Sequence, residues 1–211
     1  MFEIRNLKFK HILMIEHLVL DHPITCIVGA SGSGKTTLLR HLNKLYVPDA
    51  GEITYNGEPL SSIDPVELRR RVVMLGQTPI IYDGTVGDNL KAGLVFAQKP
   101  VPDDDTLRRV LEQVGLSKRP DEWCDKLSGG EKQRLCLARV LLMDAEAYLL
   151  DEPSAALDKE TEDFIITYLA DFVREQGKQL VIVTHSEQVS GRFPGSVVRI
   201  TQGRAGGYEH E

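Results

Sequence analysis

The 211-residue chain is 42% hydrophobic and 27% charged, an ordinary globular composition for one compact domain whose core folds without staples. A net charge of −6 with no long basic run offers no footprint for nucleic acid, and no apolar stretch approaches the ~20 residues needed to cross a bilayer. The N-terminal MFEIRNLKFK carries charges and does not read as a signal peptide. Cys26, Cys124 and Cys136, odd in number and without metal-ligand spacing, read as plain thiols of a reducing compartment.

Residues 2–9 alternate as a strand, and ITCIVGA (24–30) is a continuous apolar run ending in glycine, as a buried parallel strand should be. KTTLLRHLNKLY follows, with Leu38, Leu39, Leu42 and Leu45 on one helical face. Asn56-Gly57 marks a turn between two short extended pieces. Asp64 as N-cap and Pro65 in the first turn open a short helix through Arg71, and VVML is the next buried strand. From Pro79 to about Lys126 the rhythm changes to helical segments, TVGDNLKAGLVF and DDDTLRRVLEQVGL. This predicts a single α/β domain, with a helical subdomain over 78–140 inserted between core segments 1–77 and 141–211. Helix 130–143, strand 147–151, helix 159–175 and strands 180–184 and 196–201 complete the α/β alternation. The tail GRAGGYEHE has too few apolar residues to pack and is expected to fray; its terminal YEHE reads as solvated rather than metal-binding.

GASGSGKT satisfies G-x-x-x-x-G-K-[ST] between a strand and a helix, the context that gives this pattern a mechanism. Small residues at Gly29, Ala30, Ser31, Gly32, Ser33 and Gly34 let backbone N–H groups wrap phosphates. Lys35 supplies a point charge to the β- and γ-phosphates, and the Thr36 hydroxyl reaches Mg²⁺ with Thr37 beside it. YLLDEP (148–153) is an apolar strand ending in two acids at the sheet edge where α/β proteins bind ligands. Asp151 is assigned to the metal, directly or through water; Glu152 to the attacking water, as general base or as its orienter. His185 follows another buried strand and is placed to donate to the γ-phosphate and steady Glu152. Gln77 ends a further strand and offers an amide to metal or water. About a hundred residues past the first loop, LSGGEKQR (127–134) sets a serine and two glycines before a helix, a second anion-site pattern.

Taken together, these residues resemble the ATPase subunits of ABC transporters over nearly the whole chain and in the family's order: P-loop 29–36, Gln77, signature LSGGE 127–131, Walker B YLLDE 148–152, SAALD 154–158 and His185. The resemblance implies an α/β P-loop NTPase with a RecA-like, mostly parallel core sheet and an antiparallel β piece near the N-terminus. ATP and Mg²⁺ are the implied cofactors. It also implies a head-to-tail dimer in which Ser128, Gly129 and Gly130 of one copy meet the nucleotide on the P-loop of the other, which accounts for two anion sites in one chain. An integral membrane permease is the second implied partner, with the chain peripheral on the cytoplasmic face. The family's adenine-stacking aromatic aligns with His11, and Phe9 is the alternative.

Within the family, RRRVVMLGQTPIIYDGTVGDNL followed by a short helical insert is most similar to the small subunits of the FetA (YbbL) type, associated with iron export. Amino-acid and phosphate importer subunits share most of it and are the alternative. Two rival readings fit less. A small-metabolite P-loop kinase leaves LSGGEKQR and His185 unexplained. A soluble ABC ATPase of translation or DNA repair usually carries two such domains or a long coiled-coil insertion.

Overall fold

The computed structural model describes residues 1–208; Glu209, His210 and Glu211, and with them most of the YEHE reading, lie outside the described residues. The chain runs β1 (Phe2–Phe9), β2 (Leu13–Leu20), β3 (Ile24–Val28), α1 (Lys35–Leu42), β4 (Ala50–Tyr55), β5 (Glu58–Pro59), α2 (Pro65–Arg71) and β6 (Val72–Leu75). Helices α3 (Val86–Phe96), α4 (Asp104–Gln113) and α5 (Gly129–Leu142) come next. Then follow β7 (Ala147–Asp151), α6 (Lys159–Glu175), β8 (Gln179–Val183), α7 (Glu187–Ser190), β9 (Val197–Thr201) and β10 (Arg204–Tyr208).

Two sheets result. One is antiparallel, in the order β2-β1-β4-β5; the other runs β10-β9-β3-β8-β7-β6 and is parallel from β9 to β6. Because side chains alternate along a strand, the buried strands of the second sheet serve two cores at once. Ala147, Leu149, Val181 and Val183 face Leu38, Leu39 and Leu42 of α1 and the antiparallel sheet. Tyr148, Leu150, Leu180 and Ile182 face α3–α6. Each of these side chains is almost fully buried, a contribution of roughly 1.5–3 kcal/mol apiece for the larger ones.

Local signals act where expected. Asp64 accepts from the backbone N–H groups of Val66 and Glu67, and Asn56 and Gly57 take φ of 51° and 83°, the turn geometry that joins β4 to β5. Two expectations fail, and one segment without an assignment is resolved. Helix α1 stops at Leu42, Lys44 turns to φ 55°, and Leu45 is left 53% exposed, so it is not on the buried face. The segment Leu13–Leu20, unassigned from sequence, is an eight-residue strand paired along β1. The tail does not fray as far as Tyr208: Arg204–Tyr208 pairs antiparallel with β9, and the Gly203 carbonyl accepts from Met14 N–H at 2.8 Å. Such ladder bonds need no apolar side chains, which is why composition missed them.

The helices between β6 and β7 are tied to the loop after Gln77 by one buried cluster. Asn89, fully buried, accepts from Tyr82 N–H and donates to the carbonyls of Tyr82 and Thr85. From α5, Arg139 donates to the Asn89 and Ile80 carbonyls and to Asn89 Oδ1, with its guanidinium 5.0 Å from the Tyr82 ring centre. Among the described residues no helix is long and apolar enough to cross a membrane.

Candidate functional site

Strands β3, β6, β7 and β8 all point their carboxyl ends to one edge, and the loops that leave them carry the residues singled out by sequence. A cavity of about 320 Å³ there is lined by Ile12, Ser31, Gly32, Gly34, Lys35, Thr36, Thr37, Gln77, Glu152 and His185. The loop from Gly29 to Gly34 requires its glycines. At Gly29 (φ 148°) a Cβ would lie 2.1 Å from the Ile200 carbonyl oxygen, and at Gly34 (φ 107°) 2.7 Å from the Leu13 side chain.

Electrostatics favour an anion in that cavity. Helix α1 begins at Gly34 with no side-chain cap and no acid in its first turn, whereas Asp64, Thr85, Asp103, Ser128, Asp158 and Ser186 cap the other helices. Uncapped N–H groups at the positive end of a helix suit phosphate. Lys35, 5% exposed, donates from Nζ to the Gly29 and Ala30 carbonyls, both at 2.9 Å. Burial lowers its pKa, and Glu152 and Asp151 pull it back up.

Asp151 is 2% exposed and its Oδ1 has no hydrogen-bond partner among the described residues. Burial raises its pKa, partly offset by a hydrogen bond from Thr36. An orphaned carboxylate oxygen beside the Thr36 hydroxyl offers the hard oxygen donors a divalent cation takes, so Asp151 and Thr36 fit Mg²⁺. Glu152, next in the chain, sits in the left-handed region at φ 51°. Its N–H donates to the Val183 carbonyl at 2.9 Å, and Gln133 Nε2 donates to its carbonyl at 2.7 Å. Glu152 Oε1 lies 3.2 Å from His185 Nε2.

Not every singled-out residue lines this cavity: Asp151 is absent from its lining. Gly29 lines an adjoining cavity with Thr184 and His185, Ser33 is buried beneath the loop, and Ala30 is exposed beside it. Phe9 is turned inward, packed on His41 and Tyr46 at ring-centre distances of 4.6 and 5.3 Å, so it is not open to a base. His11 is exposed in the β1–β2 turn, and its neighbour Ile12 reaches the cavity rim. Ser128, Gly129 and Gly130 lie outside the cavity, at the start of α5. Sequence reasoning missed Ile12 and Gln133, and neither carries a local signal: each reaches the site through tertiary packing.

An uncapped phosphate loop, a buried acid and a Glu–His pair at the carboxyl edge of a RecA-like sheet define an ATP-hydrolysing P-loop protein. The comparisons agree. The ABC transporter family model matches residues 19–155. The chain is 34% identical over 198 residues to the phosphonates import ATP-binding protein PhnC 2 of a Synechococcus strain, covering 88% of this chain and 74% of that one. It is 36% identical over 183 residues to the methionine import ATP-binding protein MetN of Caulobacter vibrioides, covering 84% and 55%. The ATP-binding cassette MJ0796, solved as a dimer with ADP and Pi, superposes with a TM-score of 0.87 at 26% identity, covering 100% of this chain and 98% of that one. The chain belongs to the ABC transporter family and is an ATP-binding, ATP-hydrolysing subunit that works with a membrane permease.

Proposed function

We propose that this chain powers an importer of a small polar solute, two copies joining head to tail on the cytoplasmic face of a membrane permease. Solute direction rests on the relatives: those compared above are named for phosphonate and methionine import, and neither is named for iron. The FetA-like iron-export reading thereby yields to its importer alternative.

The observation that carries the dimer is the state of the signature segment. Ser128 and Gly129 are exposed at the N-terminus of the 14-residue α5, and a Cβ on Gly129 would meet nothing within 4 Å. Inside one chain nothing requires glycine there; a nucleotide carried by a second copy does. Bound Mg²⁺ and ATP supply a divalent charge and the γ-phosphoryl group. Lys35 and the N–H groups of α1 hold phosphate, while Thr36, Asp151 and Gln77 hold the metal. Glu152 orients water or takes its proton, and His185 keeps Glu152 in place. His11 is the proposed adenine contact. Helices α3–α5 form the helical subdomain. Exposed Ile80, Tyr82, Val95 and Phe96 give the permease an apolar seat beside Gln77.

Two measurements test this. Glu152→Gln is expected to keep ATP binding and lower turnover by about 10²-fold or more; near-normal hydrolysis removes Glu152 from its role. Deleting the gene is expected to impair phosphonate, phosphate or amino-acid uptake and leave total cell iron unchanged. Raised iron with normal uptake restores the export reading.

A further inference from the structure

We infer that Glu162, on α6, is a positioning residue that fixes the spacing between Glu152 and His185 by bridging the two segments that carry them. This rests on the reading of Glu152 and His185 as the hydrolytic pair. Ser154 stands two residues past Glu152, and Ser186 one residue past His185. The Ser154 hydroxyl donates to Glu162 Oε1, and the Ser186 hydroxyl donates to Oε2 at 3.2 Å. One carboxylate, with an oxygen for each, spans both loops.

Among the described residues the two serine hydroxyls are the side chains that Glu162 bonds, and its place in the first turn of α6, where an acid suits the helix dipole, does not call for that bridge. Helix α6 is already capped by Asp158, which accepts from Thr161 N–H at 2.9 Å and from its hydroxyl at 2.8 Å. The Ser186 hydroxyl serves twice, accepting from Val189 N–H at 3.3 Å while giving its proton to Glu162. The same face of α6 holds the rest of the segment after His185. Asp163 accepts from Gln188 at 3.2 Å and pairs with Arg192, whose Nη1 donates to the Thr167 hydroxyl at 2.8 Å.

On the other loop, Glu152 occupies a left-handed backbone position, which persists only where the surroundings over-determine it. Val183 and Gln133 hold its backbone, and Ser154 pins the chain that follows. Without Glu162 both loops keep their strands but lose their common reference. The 3.2 Å Glu152–His185 contact then loosens while the phosphate loop stays as it is.

The test is basal ATPase activity of the purified chain at varied Mg·ATP, alongside fluorescent-ATP binding and a thermal melt. Glu162→Ala is expected to lower kcat about tenfold or more, as small misplacements of reacting groups do, with KM and nucleotide affinity held within about twofold. Glu162→Gln is expected to recover kcat to within about threefold of the parent, because an amide still offers one acceptor and one donor to the two hydroxyls. A parental kcat for Glu162→Ala overturns the bridge. So does a raised KM at constant kcat, which places Glu162 in nucleotide binding, and so do equal losses for Ala and Gln, which make charge the cause. Glu152→Gln, run in parallel, separates the two levels: near-normal turnover there overturns the hydrolytic pair itself, whatever Glu162 does.

Discussion

Replacing Ser128 by arginine separates what the signature segment does for its own chain from what it does for a second copy. Within the chain the loss is one helix cap. Ser128 Oγ accepts from Glu131 N–H at 3.3 Å, and Glu131 Oε2 accepts from Ser128 N–H at 2.8 Å. Arginine removes the first bond and keeps the second, at a cost of about 1 kcal/mol, or roughly 2–4 °C in melting temperature for a chain of this size. Glu131 stays anchored by Lys118 at 3.3 Å, so α5 keeps its first turn.

The cavity around Lys35 does not include Ser128. Nucleotide affinity of the monomer is therefore expected to change by less than ~1 kcal/mol, the scale of a remote surface substitution. In the proposed head-to-tail dimer the arginine side chain would fill the space where the neighbour's phosphates approach, so the dimer is expected to be lost. The assay is size exclusion with Mg·ATP on a Glu152→Gln background, which dimerises, against the Glu152→Gln/Ser128→Arg protein, which does not. Titration of fluorescent ATP then shows near-equal affinities. Lys35→Ala reverses the pattern and damages monomer binding first. If Ser128→Arg abolishes nucleotide binding by the monomer, both anion sites serve one nucleotide in one chain and the shared-site reasoning is refuted.

Two further outcomes follow from buried groups. Asp151→Asn removes a carboxylate whose pKa burial has raised; the ionised form is penalised at pH above the folded pKa and not below the ordinary 3.8. In metal-free buffer at neutral pH the variant is expected to melt no lower than the parent while losing Mg²⁺-dependent ATP binding; a lower melting temperature refutes the burial argument. Among the described residues His41 has no partner at its buried Nε2, and it lies 2.8 Å from the Thr37 carbonyl through Nδ1. Burial lowers its pKa, with Thr37 and Asp49 opposing. The unfolded chain therefore binds the proton more readily below the ordinary 6.5, so His41's contribution is full above that pH and is lost as pH falls through the folded pKa. His41→Leu is expected to flatten the decline of melting temperature on that acid side; identical pH profiles for the two proteins overturn this.

Short-range chemistry makes part of this protein legible in its sequence. The run from Gly29 to Thr37 carries its own instructions, because a backbone that wraps a phosphate needs small residues, a lysine and a hydroxyl within one turn of chain. Asp151 and Glu152 stand out as charges at the end of an apolar strand, and α6 is bounded correctly at 159–175 because Asp158 caps it and its apolar residues keep one face. Other features depend on residues far apart in sequence. Strand β10 is glycine-rich and exists through ladder bonds to β9. Phe9 is an open candidate for adenine by sequence, and only the fold brings His41 and Tyr46, more than thirty residues on, across to cover it. Neither Gln133 at the Glu152 carbonyl nor Glu162 between two serines has any local pattern, since each acts on a loop that only the packing of α5 and α6 against the sheet brings within reach. The sequence alone determined which groups are proposed to meet phosphate and metal, because their spacing is local geometry. Tertiary structure decided how those groups are held relative to one another, because hydrogen bonds across loops reward positions that no nearby residue records.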